Sequence, residues 1–138
     1  MNTAEMRSCL SSSADFVMDA AQLGRTRAVA DTCKATGVAV IYNVGCVLAG
    51  YGEGHGRDPN YNRHLEMLVE EDRNAGRPLT AALFVSKQTG MPSAGFFKAA
   101  RARGYAIGPT PADERAFWEE QLRLMGIDPA TLRIIDTL

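Results

Sequence analysis

Apolar residues along the chain come in short blocks, each bounded by glycine, proline or a Ser/Asp start signal, and within most blocks the spacing is helical. Ser11 to Ser13 and Asp15 offer N-caps for a helix running to about Gln22, with Phe16, Ala20 and Leu23 on one face. Gly24 is expected to interrupt it. Arg25 to Ala35 then makes a second helical piece, with Val29 and Cys33 one turn apart and Gly37 as its C′ residue. Val38-Ala39-Val40-Ile41 is β-branched and short, which predicts a strand. Asn43 caps a brief helix to Ala49, with Val44, Val47 and Leu48 inward and Gly50 as its stop. After the polar, glycine-rich loop YGEGHGRDPN, Asp58-Pro59 is a strong start signal, an acid at the N-cap with proline at N1. The helix it opens runs from Pro59 to Asn74 and places Tyr61, Leu65, Leu68, Val69 and Asp72 on one face.

Leu79 to Val85 is apolar and too short for a helix before the next turn, so it predicts a central strand. Thr89-Gly90-Met91-Pro92 makes the turn, and Ser93 caps a helix over Phe96 to Arg103 that Gly104 ends. Thr110-Pro111 opens another helix, with Asp113 at the capping-box position and Phe117, Trp118, Leu122 and Met125 buried. Asp128-Pro129 starts a last short helix carrying Leu132 and Ile135. The sum is a mostly helical α+β fold in a single domain. Residues 1–36 supply N-terminal helices, 37–108 the core and 109–138 C-terminal helices. Within the core a short helix, a long helix, a strand and a glycine-proline tip follow in the order of a winged helix-turn-helix.

Composition narrows this picture modestly. A chain of 138 residues, 46% hydrophobic and 22% charged, suits one soluble domain with a real core. No apolar run approaches the ~20 residues that span a bilayer, and the first residues lack a signal-peptide h-region, so a cytoplasmic protein is expected. Cys9, Cys33 and Cys46 form no C-x-x-C pair, which argues against a disulfide framework and a zinc ribbon. No metal and no cofactor is expected: GYGEGHG lacks the preceding long strand and the Gly-Lys-Ser/Thr ending of a nucleotide loop.

Charge changes the picture more. The net charge is −1, yet from Pro78 to Gly108 there are four cations (Lys87, Lys98, Arg101, Arg103) and no carboxylate. A strand, tip and helix carrying only positive charge suit a polyanion. The expected function is therefore nucleic-acid binding, DNA first, without chemistry. Asn60 and Arg63 on the long helix suit base edges. Arg57 in the preceding loop, with Lys87, Gln88, Ser93, Lys98 and Arg101 in and beyond the tip, suits phosphates. Glu66, Glu70 and Glu71 limit the long helix to docking by its first turns. The alternative is a protein-binding adaptor or inhibitor using Met67, Met91 or Trp118 and the acidic last thirty residues. A third reading, a metal-independent nuclease, would use His55 or His64 with Lys87. Cys46 invites a Cys-His nucleophile, but its position between Val44 and Leu48 predicts an inert thiol.

Two resemblances add to this. IYNVGCVLAGYG, followed by an apolar strand, a Thr-Gly turn and a Gly-Phe step, resembles the winged-helix DNA-binding region of alkyltransferase-like proteins over Ile41 to Gly104. Tyr42 stands where that family has its tyrosine. The family's reactive Pro-Cys-His-Arg motif is missing, since the matching strand reads Ala82-Leu83-Phe84-Val85-Ser86-Lys87, so the likeness implies DNA binding without alkyl transfer. RPLTAALFVSKQTGMPSAGFF is similar to a segment of small uncharacterised bacterial and phage proteins, which brings no activity with it.

Overall fold

A computed structural model describes residues 3–52 and 58–138. Arg57 and His55, both candidates above, lie outside the described residues. Among those described, the chain forms five α-helices and a small parallel sheet: α1 (Thr3–Thr36), β1 (Val38–Ile41), α2 (Tyr42–Leu48), α3 (Pro59–Asn74), a 3-10 turn (Thr80–Leu83), β2 (Phe84–Val85), α4 (Ala94–Ala102), α5 (Pro111–Leu124) and β3 (Arg133–Ile135). This is the mostly helical α+β fold expected, and no described helix is long and apolar enough to cross a membrane.

Local signals explain the element ends. Asp58 accepts from the amide of Asn60 at the start of α3, with Pro59 at N1. Thr110 and Asp113 close a full capping box on α5. Gly37 (φ +71°) follows α1 as anticipated. Gly24, by contrast, does not interrupt α1, which continues through it as one helix. A glycine costs a helix only about 1 kcal/mol, and packing of α1 against α3, α2, β1 and the 3-10 turn outweighs that.

The sheet has the order β2-β1-β3, with β1 parallel to both neighbours. Val40 pairs with Phe84, and Val38, Ala39 and Val40 pair with Arg133, Ile134 and Ile135. Parallel pairing needs crossovers, which α2 with α3, and then α4 with α5, provide. This sheet corrects three expectations. The last short helix is a turn followed by strand β3. The wing is not an antiparallel hairpin: β2 runs parallel to β1, and the Thr89–Pro92 tip leads from a strand into helix α4. A winged helix is thus not specifically shown.

The third correction concerns Leu79 to Val85, where a 3-10 turn takes most of the predicted strand. Side chains, not a ladder, satisfy its backbone. Asp72 accepts from the Thr80 amide (3.0 Å) and hydroxyl (2.6 Å), Gln121 Oε1 accepts from the Leu79 amide (2.9 Å), and Trp118 Nε1 donates to the Ala82 carbonyl (2.9 Å). All of Thr80 to Val85 is buried. Trp118, 4% exposed and occupied in this way, is not available to a protein partner.

In α2 Val44 is buried as expected, together with Gly45 and Cys46, whereas Val47 and Leu48, expected inward, are 39% and 48% exposed. Gly45 decides the orientation. A Cβ there would stand 2.7 Å from the Tyr61 hydroxyl and 2.8 Å from the Phe84 ring, so α2 packs glycine-first onto the core. Nor does Asn43 cap it; Ile41 holds the N-cap position without a side-chain bond.

Candidate nucleic-acid interface

The loop from Ser86 to Ser93 lies where strand β2 ends, the edge at which parallel sheets carry their binding loops. Its backbone closes on itself. The Ser86 amide donates to Met91 O (2.8 Å), and the Gly90 amide to Ser86 O (2.8 Å). Ser86 Oγ donates to Gln88 Oε1 (2.8 Å), and the Met91 amide to Thr89 Oγ1 (3.2 Å). Gly90 turns the chain at φ +70°, a conformation that favours glycine. Tyr42, at the C-terminal end of β1, ties down the far side: its hydroxyl accepts from the Ser93 amide (2.9 Å) and donates to Ser93 Oγ (3.3 Å). Burial raises the Tyr42 pKa, so the phenol stays protonated. Lys87, Gln88 and Thr89 are left exposed on a fixed tip. The clamping tyrosine was legible only as part of a resemblance.

The sequence-predicted residues do not all gather here. Lys87, Gln88 and Ser93 share the loop, and Lys98 is exposed on α4. Among the described residues, neither Lys87 nor Lys98 has an ion-pair partner. Arg101 does: Glu114 lies at 2.9 Å, and the carbonyls of Ile107 and Gly108 take its other donors. Arg103 folds back on Ala99 O (3.1 Å) with Glu70 at 4.0 Å, and its buried Nε–H has no hydrogen-bond partner among the described residues. Half of the carboxylate-free block is therefore answered by acids from other elements.

On α3, Asn60 and Arg63 are exposed but engaged with each other and with α1. Arg63 donates to Asn60 Oδ1 (3.1 Å) and pairs with Asp19. That pairing raises the Arg63 pKa and, with a contribution from His64, lowers that of Asp19. Asn62, Leu65, Glu66 and Val69 are the α3 residues that line a cavity together with Ser93.

A second polar cluster lies behind Arg63. His64 is fully buried between Asp19 Oδ1 (2.8 Å from Nε2) and the Tyr51 hydroxyl on Nδ1, and Thr26 Oγ1 extends the chain from Tyr51 (2.8 Å). It joins α1, α3 and the end of the α2 loop. With no exposed atom, His64 reaches no substrate in this arrangement, which weighs against a nuclease using it. Cys33 is buried as well, and burial pushes its thiol up to about 11. Among the described residues no three His, Cys, Asp or Glu side chains are placed to hold a metal ion.

Compared with known proteins, the chain matches no family model, no curated protein and no solved structure.

Proposed function

We propose that this chain binds nucleic acid, DNA first, and that the contact element is the Ser86–Ser93 loop with Lys98 beside it on α4. One observation carries the reading: a loop whose backbone is fixed by its own bonds and by Tyr42, holding in solvent an amide side chain, Gln88, and Lys87, which has no ion-pair partner among the described residues. A preordered cationic loop loses little conformational freedom on meeting a phosphate backbone. Arg63 and Arg101 play a smaller part than their sequence positions imply, because a phosphate must compete with Asp19 and Glu114 for them. Glu66, Glu70 and Glu71 also keep α3 from lying along a groove.

The test is the salt dependence of duplex binding in the full chain. Two lysine contacts give a log–log slope of roughly −2. Lys87→Ala with Lys98→Ala abolishes that slope, while Arg63→Ala with Arg101→Ala leaves most of it. The reverse pattern removes the loop from the interface.

One observation favours the protein-binding reading instead. Val29, Cys33, Val38, Val40, Leu48 and Ile135 line an apolar groove of about 390 Å³ between α1 and the sheet. Met67 and Met91, the other partners expected, are half-buried elsewhere. A partner held in that groove dissociates on Leu48→Asp and is indifferent to salt.

A further inference from the structure

We propose that the cavity between α3 and α4 is a binding site for a short alkylammonium, a cation of three or four carbons whose stem fills the floor while its ammonium stays at the mouth. The site shares Ser93 with the proposed nucleic-acid loop but does not depend on that reading, and it uses neither Lys87 nor Lys98. Its floor is apolar, made by Leu65 and Val69 of α3 and by Phe96 and Ala99 of α4. Its volume is about 90 Å³. That is below the ~150 Å³ of a cavity that admits benzene, so it suits a short aliphatic stem and not a ring.

The mouth selects the charge. Asn62, Glu66 and Ser93 line it, and the Glu66 carboxylate is the ionisable group among them. Glu66 is exposed and has no ion-pair partner among the described residues, unlike Asp72 and Glu71 on the same helix, which bind Arg27. An ammonium at this position keeps part of its hydration and gains a charged hydrogen bond. A carboxylate of equal length meets repulsion. Ligand pockets commonly join an apolar body to a few convergent polar groups in this way.

Gly95 is the second observation. It lies at the second position of α4, outside the left-handed region, where glycine is less favourable than alanine. Neither backbone nor crowding requires it, because a Cβ there would meet only Ser93 Oγ at 3.8 Å. Its effect is to leave the mouth of the cavity beside Ser93 without a further side chain. The Phe96 that follows it, 7% exposed, forms part of the floor.

Amide and methyl NMR titrations of the full chain with n-butylammonium, n-butanol and butyrate test the assignment. Saturable shifts confined to Leu65, Val69, Gly95 and Ala99 are expected, with n-butylammonium binding most tightly and butyrate least. Glu66→Gln weakens n-butylammonium roughly fivefold and leaves n-butanol unchanged. Gly95→Leu, which fills the mouth, abolishes both. Absence of saturable shifts, butyrate binding as tightly as n-butylammonium, or a folded Gly95→Leu chain that still binds overturns the proposal. Should Gly95→Leu fail to fold, Glu66→Gln decides alone: unchanged n-butylammonium affinity refutes the site.

Discussion

Asp72 and Lys87 show two opposite uses of a polar side chain in this molecule. Asp72 is fully buried, and every bond it can make holds the chain together: Arg27, Arg77 and both donors of Thr80 converge on it. Around Lys87 the arrangement inverts. Backbone groups and short hydroxyls fix the loop, and the long side chain at its tip is exposed, with no ion-pair partner among the described residues. Where folding consumes a polar group's bonding capacity, its loss damages stability. Where folding fixes the backbone and spares the side chain, its loss damages recognition.

The sharpest break in that contrast is Asp72→Ala. It removes the carboxylate from Arg77 and from the Thr80 donors, leaves Arg27 only its exposed acids Glu71 and Asp31, and costs about 3–5 kcal/mol in urea denaturation. That is a large part of the 5–15 kcal/mol typical of a domain. Next comes Trp118→Phe, which removes the donor to a buried carbonyl and costs roughly 1–3 kcal/mol. A value near zero places the indole bond outside the fold's support. Tyr42→Phe sits on the border between the two regions: loss of the clamp on Ser93 costs about 1 kcal/mol and also weakens duplex binding several-fold with no change in charge. If binding is untouched, order in the loop is irrelevant to it.

Acid titration sharpens the comparison from the other side of α3. Arg63, then His64, hold Asp19 below the usual carboxylate range, so the folded pKa lies below the unfolded one. The stabilisation is therefore complete above the unfolded carboxylate's range and is lost as pH falls through the folded value. The gap in urea midpoint between the native chain and Asp19→Asn narrows toward zero through that window. A gap that stays constant to low pH shows the pair to be unlinked from folding. Smallest in stability is Lys87→Ala, within about 0.5 kcal/mol of the native chain, although it takes one contact from the salt slope.

Short-range chemistry was legible in advance. Asp58-Pro59, Thr110 with Asp113, and Gly37 all act within one turn of themselves, so their capping roles needed no tertiary information. Leu79 to Val85 was misread because Asp72, Gln121 and Trp118 reach its backbone from other helices. Strand β3 was misread because its partner, β1, lies far back in the sequence. The exposure of Val47 and Leu48 on α2 follows from the close approach of Gly45 to Tyr61 and Phe84, which periodicity does not encode. The same division runs through the site. The carboxylate-free block was visible, while the acids that answer half of it, Glu70 and Glu114, come from α3 and α5.

The fixed loop, and not α3 or the apolar groove, is the proposed point of contact with the partner. Amide chemical-shift mapping of the full chain against a short DNA duplex at low salt tests it most directly. The largest shifts are expected on residues 86–93 and Lys98, and they vanish as salt is added. Shifts centred on Leu48 and Ile135, or no shifts at all, contradict it.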